Sequence, residues 1–160
     1  MNVQLILAVL LVGLATGLRT FTGVMVIAWS ACLGCVDLSA TPFAFMASPV
    51  TVGIVTLLAL GEYVADKLPN TPARTAAVGM TGRIVCGGLA GACIATLHGA
   101  PYILGAVIGA VAAIAGAFAG YQLRTRLVRS LGVKDLFVAI PEDLTAIGIA
   151  IIAVCCLAVR

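Results

Sequence analysis

Long apolar runs dominate this chain, and prolines and charged residues divide them into six segments: Asn2 to Leu18, Thr22 to Val36, Ser48 to Asp66, Ala76 to Leu97, Pro101 to Gln122 and Asp143 to Val159. The divisions have a physical basis, because proline ends helices and a charge is costly at bilayer depth. All six prolines (Pro42, Pro49, Pro69, Pro72, Pro101 and Pro141) fall at or near segment borders. A membrane-crossing helix takes roughly 20 mainly apolar residues. The pattern therefore predicts an all-α, polytopic transmembrane helix bundle of about six membrane segments, forming a single integral membrane domain over residues 1–160. The first two segments are short and separated only by Arg19, Thr20 and Phe21. They fit two short spans or a re-entrant hairpin, with one long helix as a third arrangement.

Composition moves the expectation firmly into lipid. Hydrophobic residues make up 62% of the chain and charged residues 9%, with a mean hydropathy of +1.22, whereas soluble domains carry about 25% charged residues. No separate soluble domain is expected, and without a basic tail the net charge of +3 points to no nucleic-acid partner. Met1 to Gly17 has no Lys or Arg ahead of its apolar run, unlike a cleaved signal, so it reads as a retained first span.

The placement of charge predicts sidedness. If the six segments alternate across the bilayer, eight of the nine Lys and Arg residues share one face, Arg160 being the exception. Basic residues in short loops favour the cytoplasm, which places both termini outside it. Tyr63 and Tyr121 fall near the basic side and Tyr102 near the other, as interfacial aromatics do.

Glycines recur at four-residue spacing in Gly13 and Gly17, Gly87 and Gly91, Gly105 and Gly109, and Gly116 and Gly120. Such spacing lets helix backbones approach closely in a membrane, chiefly within one bundle, with a homo-oligomer face as the other use. Short echoes (Thr16-Gly17-Leu18-Arg19 with Thr81-Gly82-Arg83, and Leu18-Arg19-Thr20 with Leu123-Arg124-Thr125) would suit a transporter built from repeats.

Four polar residues need partners. Glu62 and Asp66 are four apart and share one helix face, where like charges repel unless a cation or proton intervenes. Arg19, after the first segment, and Arg83, about two turns inside the fourth, are the candidate cations. Each would cost several kcal/mol at depth, from about 2.5 upward, unless paired or snorkelled. Arg19, Glu62, Asp66 and Arg83 thus form a candidate substrate-binding site for a small solute, an ion or a lipid headgroup, or else an ion-pair network that sets helix register. A second patch, Arg124, Arg126, Arg129 and Lys134, alternates with Leu127, Leu131, Leu136 and Phe137 and reads as an interfacial amphipathic helix attracting membrane lipids. Pro141-Glu142-Asp143 reads as the entry to the last helix, with its acids at the N-terminus that the helix dipole favours.

Other chemistry is poorly supplied. Cys32-x-x-Cys35, Cys155 and Cys156 lack a completed ligand set, and His98 has no acidic or cysteine cluster near it in sequence, so neither a metal nor a cofactor is expected. No P-loop, G-x-S-x-G or HExxH pattern occurs, so the chain is not expected to be an enzyme.

Gly17-Leu18-Arg19-Thr20-Phe21-Thr22, followed by Gly61-Glu62, Asp66-Lys67-Leu68-Pro69 and Pro72-Ala73-Arg74, resembles an uncharacterised family of small bacterial multi-pass membrane proteins. The resemblance spans most of the chain. It implies a compact helical membrane domain and transfers no activity, cofactor or ligand set. With the basic-side rule it places the protein in a bacterial inner membrane. Two functions fit: a transporter or channel-like permease, or a non-transporting lipid-binding or scaffold protein. Transport predicts a water-accessible cavity reaching Glu62 and Arg83, whereas a scaffold predicts those groups paired in a closed bundle.

Overall fold

A computed structural model describes residues 1–66, 77–132 and 135–158. Among these residues it is wholly helical: α1 Val3–Leu18, α2 Thr22–Cys32, a short 3-10 turn Ala44–Ala47, α3 Pro49–Ala65, α4 Ala77–Thr96, α5 Tyr102–Leu131 and α6 Asp135–Ala158. Three helices are long and apolar enough to cross a membrane, at Ala77–Thr96, Tyr102–Ser130 and Phe137–Cys155. Three are shorter, α1, α2 and α3. At 1.5 Å per residue, the 16 residues of α1 reach about 24 Å and the 30 of α5 about 45 Å. Outward apolar side chains such as Val50, Ile54, Leu57, Val107 and Val111, together with the long helices, mark a membrane-embedded protein.

Of the three shorter helices, α1 and α2 are far more buried than α3. Asn2 starts α1, its Oδ1 accepting the Leu5 backbone N–H at 2.9 Å. Leu5, Ala8, Val9, Val12 and Ala15 are then buried as α1 packs against α4, α5 and α6. A helix apolar on every side belongs in the interior. At Arg19 the backbone turns extended (φ −140°, ψ 115°) and ends α1, and the Thr22 N–H then closes a turn on the Arg19 carbonyl at 3.2 Å. Beyond that turn α2 doubles back, so that Gly23 faces Val12 and Thr16.

The glycine spacing is used within the chain. A Cβ on Gly91 would overlap the Gly105 carbonyl oxygen and come within 3.0 Å of Gly109 Cα, and one on Gly13 would lie 2.6 Å from Gly109 O. Gly17 and Gly116 meet one another's helices in the same way. α5 is therefore seated backbone to backbone on both α1 and α4.

Two expectations are corrected near the end of the chain. Pro141 does not open the last helix but lies inside α6, which already begins at Asp135. The ion pairs of Glu142 and Asp143 described below hold this turn against the bundle, and packing of this kind makes an internal proline tolerable in membrane helices. Nor does Arg124 start a separate interfacial helix. α5 runs unbroken to Leu131 and ends at Gly132 (φ +61°), whose N–H bonds to the Val128 carbonyl.

Candidate functional site

The break between α1 and α2 exposes backbone groups that no helix satisfies, and distant side chains satisfy them. Glu62, near the end of α3, takes the Thr20 N–H on Oε1 at 2.8 Å and the Phe21 N–H on Oε2 at 3.1 Å. A carboxylate at a helix N-terminus is favoured by both the donors and the dipole. On the other side, Arg83 Nε donates to the Gly17 carbonyl at 3.0 Å, at the C-terminus of α1, and Nη1 donates to Gly79 O in its own helix at 3.1 Å. The two side chains face each other, Arg83 Nη2 lying 3.8 Å from Glu62 Oε1.

Arg19 occupies the elbow itself and is wholly buried. Its Nη1 pairs with Asp66, and its Nε lies 2.5 Å from Asp143 Oδ1. That second approach is off the line of a hydrogen bond, so Nε and Oδ1 attract as charges without a hydrogen bond between them. The guanidinium also stands over the Tyr63 ring, 5.8 Å from its centroid, a cation–π arrangement. The Tyr63 hydroxyl lies 2.7 Å from that of Thr22. Among the described residues, Nη2 of Arg19 has no hydrogen-bond partner.

Arg124 extends the cluster, with Nη1 at 3.6 Å from both Asp66 Oδ2 and Glu142 Oε2. The four residues expected to form a site, Arg19, Glu62, Asp66 and Arg83, are thus brought together from the α1–α2 elbow, α3 and α4. Arg124, Glu142 and Asp143 join them from α5 and α6. Of the predicted lipid-interface patch, Arg124 faces this cluster, Arg126 and Arg129 are exposed, and Lys134 lies outside the described residues. So do Lys67 to Arg74 of the polar stretch after α3. Asp143 read in sequence as a helix start beside Pro141, and only the start of α6 at Asp135 shows it eight residues inside an apolar helix, where a charge requires a partner.

A cleft of about 250 Å³ adjoins the cluster, lined by Leu18, Gly120, Leu123 and Phe137 with Arg124 and Glu142 among its walls. The opposite pole is chemically plainer. Asp37 accepts the Ser39 hydroxyl at 2.6 Å and its backbone N–H at 2.9 Å, bonds that hold its carboxyl below the usual range. His98 is exposed. Among the described residues, no group of three or more His, Cys, Asp or Glu side chains is placed to hold a metal ion.

A family model described as a domain of unknown function, DUF4126, matches residues 6–156. The chain belongs to that family. No curated protein and no solved structure matches it.

Proposed function

We propose that this DUF4126 protein is a small permease for a solute or ion, held shut in this conformation by the cluster of Arg19, Glu62, Asp66 and Arg83. The observation that carries the reading is the broken helix. α1 and α2 stop at a buried elbow whose free backbone groups and arginine are met by charged side chains from other helices. Secondary transporters place interrupted helices and polar groups where substrate binds. Helix register alone would need far less, since buried ion pairs add little net stability over apolar packing. The basic-side rule puts the cluster toward the cytoplasm of a bacterial inner membrane, with both termini outside.

Glu62 and Arg83 are paired here and nearly buried, so a working route must part them. A scaffold would keep them paired. The cleft beside Arg124 and the exposed Arg126 and Arg129 favour a second reading, a non-transporting protein that holds membrane lipid.

Reconstitution into proteoliposomes with a solute-flux screen separates the two. The permease reading expects flux in wild type that Glu62→Gln and Arg83→Ala change. Folded protein without flux across a broad panel leaves the lipid-holding reading. For sidedness, single cysteines introduced as Ser39→Cys and Ser130→Cys in a cysteine-free background should label from outside and inside respectively. Outside labelling at position 130 would reverse the orientation.

A further inference from the structure

We infer that the cleft between α5 and α6 is a phospholipid site, taking a length of acyl chain along its apolar walls and an ammonium-bearing headgroup, that of phosphatidylethanolamine, between Arg124 and Glu142. The site goes beyond the permease reading and stands whether or not the protein transports.

The cleft follows from how α5 is seated. Its glycines press it onto α1 and α4, and it meets α6 only lightly, so about 250 Å³ is left between α5 and α6 beside Leu18, the last residue of α1. An apolar cavity of about 150 Å³ already admits a benzene ring, so the space suits part of an acyl chain and not a whole lipid. Leu123 and Phe137 line the cleft and are exposed on the flank of the bundle, where acyl chains rather than water lie. The depth suits a headgroup. Arg124 stands about 33 Å along α5 from Tyr102, close to the roughly 30 Å of the hydrocarbon core. With Tyr102 at one interface, Arg124 is therefore at the other.

Charge selects the headgroup. The charged residues lining the cleft are one of each sign, Arg124 and Glu142, whereas the exposed Arg126 and Arg129 are not in its walls. Arg124 Nη1 lies 3.6 Å from Glu142 Oε2, beyond hydrogen-bond length, so a phosphate on the guanidinium and an ammonium on the carboxylate would each add a charge-assisted hydrogen bond. The same wall offers the ammonium a further acceptor. Pro141 has no N–H to give the Phe137 carbonyl one turn earlier, and both residues line the cleft. An anionic headgroup would answer Arg124 but bring a second negative charge toward Glu142.

Lipid retention tests this directly. Delipidated protein is incubated with vesicles holding equal amounts of phosphatidylethanolamine and phosphatidylglycerol with the same acyl chains, purified again in detergent and weighed by native mass spectrometry. The expected result is one retained phospholipid per chain, with phosphatidylethanolamine favoured about fivefold, the scale of one charge near a membrane surface. Glu142→Gln should remove that preference. Leu123→Trp and Phe137→Trp, which fill the cleft from its exposed side and leave the charges in place, should each lose the retained lipid. Should Glu142→Gln not fold, wild type offered phosphatidylcholine, whose trimethylated nitrogen has no N–H to donate, takes its place and should retain less of it than of phosphatidylethanolamine. No retained lipid, or retention that both tryptophan variants leave unchanged, would overturn the site. Equal or greater retention of phosphatidylglycerol by wild type would overturn the headgroup. Retention without flux in the proteoliposome screen keeps the site and sinks the permease. Flux without retention does the reverse.

Discussion

Two regions hold this bundle together by opposite means. Along the seam of α1, α4 and α5, side chains are missing: Gly13, Gly87, Gly91, Gly105 and Gly109 let backbone rest on backbone. At the elbow, the longest side chains converge, and arginines on three different elements reach acids from α3 and α6. The seam works by van der Waals contact, which lipid cannot replace once backbones are this close. The elbow works by charge, which binds strongly at low dielectric but only while every partner stays in place. A glycine seam has one good arrangement and is stiff. A charge cluster can exchange partners, so motion should be sought at the elbow.

Substitutions can break this contrast, beginning with the seam. Gly109→Leu forces a side chain against the Gly87 carbonyl and Gly91 Cα. It should prevent recovery of folded protein from membranes, read as loss of a monodisperse peak on size exclusion. Gly91→Ala is the milder probe, and overpacking of this kind costs about 1–3 kcal/mol, seen as a lower Tm in detergent.

Arg19→Ala comes next in the elbow. Removing one partner of a buried pair costs about 3–5 kcal/mol because the other charges stay buried, here Asp66 and Asp143. Adding Asp143→Asn should recover part of that loss in thermal unfolding. A double variant as unstable as the sum of its parts would mean that the two groups are not coupled.

Glu62→Gln should be gentler. An amide oxygen still accepts one N–H at the elbow, and a charged hydrogen bond exceeds a neutral one by about 1 kcal/mol, so a small fall in Tm is expected. The smallest effect carries the opposite sign. Gly53 and Gly61 of α3 would meet nothing within 4 Å through a new Cβ, so alanine there should stabilise by about 0.5–1 kcal/mol through helix propensity. Destabilisation by Gly53→Ala would show that the outer face of α3 is covered in the working protein.

Much of this arrangement was legible one segment at a time. Apolar runs and prolines marked the helices, and the spacing of Glu62 and Asp66, with arginines too deep to stand alone, named four members of the cluster. The spacing of the glycines announced close packing. Arg124 was misplaced because a basic residue among leucines looks the same in sequence whether it faces headgroups or a buried acid. Pro141 misled for a related reason: proline beside two acids usually marks a helix start, and only the distant Arg19 and Arg124 show why the helix runs through it.

The sequence by itself determined that the chain belongs in a membrane, where its first four helices fall, and that several of its charges must find partners; the end of α5 and the start of α6 it did not determine. These follow from local quantities, namely hydropathy, proline geometry and the solvation of charge. Which partner each charge finds was decided only by the tertiary structure. That Glu62 reaches the α2 terminus across 42 residues of chain, and that Arg83 closes the end of α1 across 66, depends on how six helices stack. No local pattern encodes that stacking, because any of the acids could have satisfied any of the arginines.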